Sequence, residues 1–194
     1  MKKHTIVFLF ALCPLIPAAS RFSYGLILCF ALIWLFLSGL LFRELIKKIV
    51  PDDAGFYLEL VCIAASATVF YQVLEAVFPV LAVSLGLYIF ISSFSYLVIT
   101  SIDRFSADKE SFLPIVSFFP ILLVFSLIRE IFGFGTISFP VPSGFIEFTV
   151  LPYFEQYGLG FWGTAGGALI LIGIFSWLVK YVNRRASIVK RNVK

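Results

Sequence analysis

The sequence predicts an all-α polytopic membrane protein with six transmembrane helices. The chain has 194 residues, of which 61% are hydrophobic and only 13% charged, whereas about a quarter of the residues in soluble domains are charged. Apolar runs of about 18 residues or more, the length that crosses a bilayer, recur along the whole chain. Lys and Arg cluster in alternate connections between these runs, which is typical of a multi-pass protein with fixed orientation.

The six apolar segments define the predicted spans, and together they form one domain. No connection is long or polar enough to fold separately, so residues 1–194 are predicted to be a single membrane domain with a basic C-terminal tail at 183–194. Residues 135–158 join the last two spans as an aromatic, proline-rich loop without Lys or Arg. The spans are Thr5–Ala19, Phe22–Phe42, Ala54–Phe78, Val80–Ile102, Phe112–Phe134 and Gly160–Val182.

The first span is short and interrupted by Pro14 and Pro17, within the stretch "CPLIP". Proline lacks an N–H and clashes with the preceding turn, so the helix is expected to break there. Freed backbone carbonyls in hydrocarbon need partners within the protein, so this segment is predicted to pack among other helices. Cys13 lies at the break. The three cysteines all fall inside predicted spans, which argues against a disulfide framework and favours buried thiols.

The basic residues set the orientation. With the N-terminus in the cytoplasm, every Lys and Arg except Arg21 and Arg129 lies at or near the cytoplasmic side, as the positive-inside rule requires. Both termini are therefore predicted to be cytoplasmic, in a bacterial-type inner membrane. One alternative stays open: "MKKH" and "PAAS" also resemble the ends of a cleavable signal peptide. Cleavage would leave five spans with the same sidedness.

Two similar segments indicate an internal duplication. "LFRELIKKIVP" at 41–51 ends the second span, and "LIREIFGFGTISFP" at 127–140 ends the fifth. Each ends the middle helix of a three-span half, roughly residues 5–80 and 81–182, and the two halves have opposite orientation. Inverted repeats with interrupted segments at matching places are typical of membrane proteins with a site near the midplane. Arg-Glu pairs also end unrelated helices, so the duplication remains a hypothesis.

Ionisable residues at membrane depth are the first candidates for function, because charges within spans are costly. Arg129 and Glu130 are adjacent in the fifth span and point about 100° apart on a helix, so they need not pair with each other. Glu75, near the same end of the third span, is a candidate partner for Arg129. A functional role and structural anchoring both remain open for Arg129. The following "GFGT", with Gly133, Gly135 and Thr136, predicts a turn or re-entrant bend.

Five segments of the chain match the pattern of a known family. They are "ALCPLIPAA", "VFPVLAVSLGLYIFI", "DRFSADKESFLPIVSF", "SLIREIFGFGTI" and "GGALILIGIFSWLV". In these segments the chain resembles the membrane subunits of the Rnf and Nqr electron-transport complexes, most closely the RnfE/NqrD type. The resemblance covers nearly the whole chain, and the segment around Arg129 is its most specific part. It implies two inverted three-helix repeats with a broken first helix in each.

The resemblance also implies a cofactor. In the family each repeat carries one cysteine at its break, and two subunits of opposite topology present four cysteines to an intramembrane [2Fe–2S] cluster. Cys13, followed by Pro14, matches the first of these cysteines and is the candidate cofactor and metal ligand. The second has no counterpart, since Tyr96 occupies about its position and the fourth span contains no cysteine. A substitute oxygen ligand from Tyr96 or Ser95 is the remaining way to complete the set.

Two functions follow as hypotheses. The first is a subunit, not catalytic alone, of an ion-translocating oxidoreductase that helps to carry electrons across the membrane. Its partners would be a homologous subunit of opposite topology, the other subunits of the complex and the lipid bilayer. The second is a redox-inactive paralogue acting as a scaffold or as an ion or small-molecule transport subunit. The distribution of basic residues gives no support for nucleic-acid binding.

Overall fold

The protein was analysed as a computed structural model that describes residues 16, 18–49, 52–103, 112–152 and 160–192. Cys13 and Pro14 lie outside the described residues, and so does Pro17. The described chain is mostly helical, with five α-helices and a two-stranded hairpin between the fourth and fifth. The elements are α1 (Phe22–Ile49), α2 (Asp52–Val77), α3 (Pro79–Asp103), α4 (Phe112–Phe134), β1 (Thr136–Val141), β2 (Gly144–Thr149), a 3₁₀ turn (Gly160–Gly163) and α5 (Ala165–Asn192).

Helices α1, α2 and α3 pack against one another and form the main apolar core. Each buries a stripe at helical spacing, such as Leu28, Leu32 and Leu35 on α1, while many of the remaining apolar residues face outward. A helix that is apolar on its exposed side is suited to a lipid environment. Within the described residues, three segments are long and apolar enough to cross a bilayer: Phe22–Ile46, Tyr57–Val77 and Pro79–Tyr96.

The structure corrects the expected break in the fourth predicted span. Helix α3 runs without interruption from Pro79 to Asp103. After Gly86 this helix contains neither glycine nor proline, so nothing removes a donor from the i→i−4 hydrogen-bond ladder. The first predicted span, 5–19, falls outside the described residues except for Ile16, Ala18 and Ala19. These three precede α1 in a non-helical turn in which the Ala19 N–H donates to the Ile16 carbonyl.

The loop predicted at 135–158 contains a β-hairpin, which the prediction of an all-α fold missed. Strands β1 and β2 pair antiparallel from Thr136↔Thr149 to Val141↔Gly144. Pro142 and Ser143 form the two-residue turn, and Gly144 follows with a φ of 138° that side-chain-bearing residues rarely adopt. A tight turn rich in Pro, Ser and Gly is a hairpin signal in a sequence. Here Pro140 within β1 argued against a strand, so the hairpin was not predicted.

The hairpin turns its polar face towards the helices. Ser138 and Glu147 are directly opposite each other in the register, and both contact the residues at the start of α1. On the other face Phe139 and Ile146 form a cross-strand pair and are about half exposed. The hairpin is therefore positioned by polar contacts with the N-terminal end of α1 and by the edge-on packing of Phe139 against Phe22.

Candidate functional site

Arg129 is a fully buried cation surrounded by main-chain oxygens. Its Nε donates to the Trp162 carbonyl at 3.1 Å, and Nη2 donates to the carbonyls of Gly163 at 2.9 Å and Thr164 at 3.1 Å. Its Nη1 donates to the carbonyl of Ile16, in the non-helical segment before α1. A guanidinium has five N–H donors in a fixed fork. Here the fork joins two irregular segments that lie far apart in the chain.

Gly133 allows this arrangement. It lies four residues after Arg129, on the same face of α4, and a Cβ at this position would come within 3.2 Å of the Gly163 nitrogen. The backbone of the 3₁₀ turn therefore packs directly against α4, which brings three successive carbonyls within reach of the guanidinium. Gly133 and Arg129 therefore both contact the same backbone segment, residues 162–164.

Glu130 points away from Arg129 and caps α1. Its Oε2 accepts a hydrogen bond from the Phe22 N–H at 2.6 Å, and Ser138 Oγ accepts one from the Ser23 N–H at 3.3 Å. The first N–H groups of a helix have no partners within the helix, and side-chain oxygens that accept from them stabilise it. These two acceptors come from residues 108 and 115 positions away. The prediction that Arg129 and Glu130 need not pair is confirmed.

Gly135 makes the turn between the end of α4 and the start of the hairpin. It adopts a φ of 70°, in the left-handed region that glycine enters without steric cost. Its N–H is shared between the carbonyls of Glu130 and Ile131, and its carbonyl accepts from Val150 and Leu151. Helix α4 therefore ends in a glycine cap that directs the next residue, Thr136, into the buried start of β1. The turn predicted at "GFGT" is confirmed.

The expected contact between Glu75 and Arg129 is not formed. Glu75 lies exposed on α2, whereas Arg129 is fully buried against α4, the 3₁₀ turn and the segment before α1. The expected contact rested only on the similar predicted depth of the two residues in the membrane. The packing of α2 places the Glu75 side chain outside the bundle. Buried backbone carbonyls take the role that we expected a carboxylate to play.

Arg21, the single basic residue between the first two predicted spans, holds the hairpin. Its guanidinium forms an ion pair with Glu147 and lies over the rings of Phe145 at 4.2 Å and Phe134 at 5.0 Å. A guanidinium that lies over an aromatic ring is attracted electrostatically to the face of that ring. The sequence showed the isolated charge of Arg21 but not its partner, because Glu147 lay in a segment predicted to be an irregular loop.

Tyr96, at the position where the family resemblance places a second cysteine, is buried and hydrogen-bonded. It is 1% exposed, and its hydroxyl donates to Oε1 of the similarly buried Glu59 at 3.3 Å. The ring packs edge-on against Phe36 with centroids 5.0 Å apart. It also lies over Gly39, where a Cβ would be 2.7 Å from Tyr96 Cε2 and still closer to the hydroxyl. The sequence-based prediction missed Glu59, although it lies on the buried face of its helix with Ile63 and Ser66.

Tyr96 itself offers no thiolate to a cluster. The Tyr96 phenol is a proton donor to a carboxylate and not a thiolate. Of the cysteines that the structure describes, Cys29 is buried against the Phe119 carbonyl and Cys62 is partly buried on α2. Over the described ranges, no three His, Cys, Asp or Glu side chains converge as a metal site. Iron–sulfur clusters usually need four thiolates, and Cys13 lies outside the described residues.

Long apolar helices and a buried Arg129 that binds irregular backbone define the class as a polytopic helical membrane protein. A family model described as "Rnf-Nqr subunit, membrane protein" matches residues 1–176. The chain belongs to the Rnf-Nqr membrane subunit family.

Individual relatives support this assignment. An uncharacterised protein of Treponema pallidum (strain Nichols) is 32% identical over 182 residues, which cover 93% of this chain and 90% of the relative. The D subunit of the Na(+)-translocating NADH-quinone reductase of Chlamydia muridarum (strain MoPn / Nigg) is 30% identical over 164 residues, or 76% and 72% of the two chains. The corresponding protein of Chlamydia pneumoniae is 29% identical over 146 residues, or 71% and 68%.

Proposed function

We propose that this chain is an integral membrane subunit of an Rnf/Nqr-type ion-translocating electron-transport complex. The observation that carries the proposal is the family match over residues 1–176. Relatives that are D subunits of a Na(+)-translocating NADH-quinone reductase support it. The apolar spans supply the membrane location. In this proposal the chain acts as one part of the complex and is not catalytic alone.

The proposed architecture is a single membrane domain of six spans in two inverted repeats, with both termini in the cytoplasm of a bacterial-type cell. The second to sixth spans correspond to α1–α5, and the first would be the segment at 5–19. The distribution of Lys and Arg supports this orientation. In this orientation Arg129, the hairpin and the start of α1 lie towards the outer side, and the basic tail lies inside. The proposed partners are a homologous subunit of opposite topology, the other subunits of the complex and the bilayer.

The role of Arg129 in this proposal is to hold the end of the first span. Its contact with the Ile16 carbonyl ties that segment to α4 and to the start of α5. Cys13 lies three residues earlier in the chain, so this anchoring would position the candidate cluster ligand. Electron transfer through a cluster would require the remaining ligands from other subunits.

The contact between Tyr96 and Glu59 favours a second candidate function. A phenol held by a buried carboxylate replaces the expected thiol, so in this alternative the chain serves its complex as a scaffold or ion-transport subunit without a redox centre. The two candidates share the fold and the partners and differ only in whether a cluster is bound.

Purification of the tagged chain from its native membrane tests both candidates. The first predicts co-purification with a homologous membrane subunit and with flavin-carrying subunits, and iron with a visible spectrum that changes in Cys13→Ser. The second predicts the same partners with no iron that depends on Cys13. A chain that purifies alone, stable and colourless, would contradict membership of an electron-transport complex.

The variant Tyr96→Cys provides a matched comparison. If the phenol is what prevents cluster binding at this position, the variant is expected to gain iron and absorbance relative to wild type, whereas Tyr96→Phe is not. A cluster of equal content in all three proteins would show that this position is not part of the ligand set.

A further inference from the structure

One face of the hairpin is entirely apolar. In an antiparallel pair, residues directly opposite each other lie on the same face, and successive residues of a strand alternate between the two faces. Ser138 and Glu147 are opposite each other on the face that contacts the start of α1. The neighbouring cross-strand pairs therefore lie on the other face, which is the apolar face. It consists of Ile137, Phe139, Val141, Gly144, Ile146 and Phe148.

The apolar face is largely uncovered by the rest of the described chain. Phe139 is 44% exposed, Ile146 51% and Phe148 57%, and the rings of Phe139 and Phe148 lie edge to face with centroids 6.0 Å apart. Antiparallel sheets in soluble proteins usually turn the apolar face to the core and the polar face to water. The hairpin has the reverse arrangement, and a contiguous exposed apolar patch indicates a surface that binds a protein or a membrane.

Phe22 connects the apolar face to the surface of α1. Its ring lies edge-on to that of Phe139, with centroids 5.6 Å apart, and it is the first residue of the segment Phe22–Ile46, which is long enough to cross a bilayer. Phe22 also begins a row of apolar residues at spacings of three and four, which lies along one side of the helix. The later members of the row are half-buried or exposed: Leu26, Phe30, Ile33, Leu37 and Leu40. Such a row on a membrane span is suited to contact with lipid, and the apolar face continues it.

The length of α1 places the hairpin at the membrane surface. The 25 residues of the segment Phe22–Ile46 form a helix about 37 Å long, whereas the hydrocarbon core of a bilayer is about 30 Å thick. The first turn of α1, on which the hairpin packs, therefore reaches the headgroup region. The described sheet has two strands, so each strand has one edge without a strand partner. Water and headgroups can bind the N–H and C=O groups of these edges, and hydrocarbon cannot.

We propose that the apolar face of the hairpin lies in the membrane–water interface beside the start of α1 and binds phospholipid. The upper parts of the acyl chains contact Phe139, Ile146 and Phe148, and headgroups and water contact the strand edges. The opposite face stays attached to the protein through the ion pair of Arg21 with Glu147. The hairpin thus fixes the depth of this end of α1 in the bilayer. The inference requires only the membrane location of the chain and does not rest on the proposed electron-transport function.

The test is tryptophan fluorescence of the full-length chain in phosphatidylcholine vesicles. Phe148→Trp places an indole on the apolar face at a position that already holds an exposed aromatic ring. Bromine atoms near the top of the lipid acyl chains quench an indole that they touch. Relative to wild type, which has three tryptophans, the added emission of Phe148→Trp is expected to be blue-shifted. It is expected to be lost in brominated vesicles and to resist acrylamide in the water.

Thr149→Trp is the matched control. Thr149 is the next residue of the same strand and is also exposed, but it lies on the opposite face with Glu147. Its added emission is expected to be red-shifted, to be quenched by acrylamide and to survive in brominated vesicles. Equal quenching of the two variants by brominated lipid would overturn the assignment of one face to the bilayer. Quenching of Phe148→Trp by acrylamide and not by brominated lipid would show that the apolar face contacts water.

Wild type gives a measurement that depends on no variant. Vesicles that contain a phosphatidylcholine with a photoactivatable diazirine near the top of one acyl chain are irradiated, and the cross-linked residues are mapped by mass spectrometry. Cross-links to residues 137–148 are expected, in the isolated chain and equally in any complex purified from the native membrane. Cross-links to α1 without any to the hairpin would overturn the proposal. Hairpin cross-links that disappear in a complex would show that a protein partner covers the apolar face, which would also overturn it.

Discussion

Arg129 on α4 donates a hydrogen bond to the carbonyl of Ile16, which lies 113 residues earlier in the chain. The same guanidinium binds the carbonyls at the start of α5. One side chain thus links the end of the first predicted span, the fifth span and the sixth. A charged donor that satisfies several buried carbonyls at once is suited to hold irregular backbone inside a membrane protein.

Arg129→Gln is therefore expected to destabilise the protein by more than about 2 kcal/mol, because buried carbonyls lose their donors. Arg129→Lys is expected to fall between wild type and Gln, since an ammonium cannot reproduce the planar fork. The measurement is the melting temperature in detergent. Arg43→Gln is the control: Arg43 occupies the matching place in the first half of the chain and is only partly buried, so a change below about 0.5 kcal/mol is expected. Equal effects at the two arginines would contradict the role of Arg129 as a clamp.

Gly39→Ala is expected to be strongly destabilising, because the new Cβ would overlap the ring of Tyr96, with Cε2 at 2.7 Å. Overpacking of this kind costs about 1–3 kcal/mol. The same substitution in a Tyr96→Cys background is expected to cost much less, because the smaller side chain frees the space. Gly173→Ala is the control, since nothing lies within 4 Å of that position. If Gly39→Ala costs the same in both backgrounds, the close approach of Gly39 and Tyr96 is wrong.

Tyr96 and Glu59 are expected to be energetically coupled through their buried hydrogen bond at 3.3 Å. Tyr96→Phe removes a donor from a buried acceptor, at a cost of about 1–3 kcal/mol. A double-mutant cycle with Tyr96→Phe and Glu59→Gln isolates the contact, and residues in one hydrogen bond typically show a coupling of at least about 0.5 kcal/mol. Stability in detergent is again the readout. Strictly additive losses would show that the two side chains act independently.

Arg21 and Glu147 are expected to show weak coupling, because the pair is partly exposed, with side-chain exposures of 22% and 40%. Partly exposed ion pairs contribute about 0–1 kcal/mol. Arg21→Lys keeps the charge but weakens the stacking on Phe145, so it is expected to increase proteolytic cleavage within the hairpin more than Glu147→Gln does. Limited proteolysis with mass spectrometry gives the measurement. Cleavage that is unchanged in Arg21→Lys would rule out a role for the stacking.

Sequence patterns predicted the helices well because hydropathy is a local property. The fifth predicted span and α4 have the same bounds, Phe112–Phe134. The glycine turn at Gly135 was equally readable, since a "GFG" stretch after a helix signals a change of direction. The hairpin was not predicted, because Pro140 lies within β1 and the alternation of polar and apolar residues there spans only Thr136 to Phe139. The prediction of a break in the fourth span was wrong, since α3 is continuous. That break was inferred from the family resemblance, and α3 has no glycine or proline after Gly86 that would cause it.

The sequence by itself determined that this chain is a multi-pass membrane protein of the Rnf-Nqr family, and that Arg129 and Glu130 are the most conspicuous charges within a predicted span. Only the tertiary structure decided what these charges bind. Arg129 contacts carbonyls and Glu130 caps α1, while Glu75 lies outside the bundle. The physical reason is that hydropathy and helix breaks depend on neighbouring residues. The partner of a buried charge is chosen by packing between segments more than a hundred residues apart.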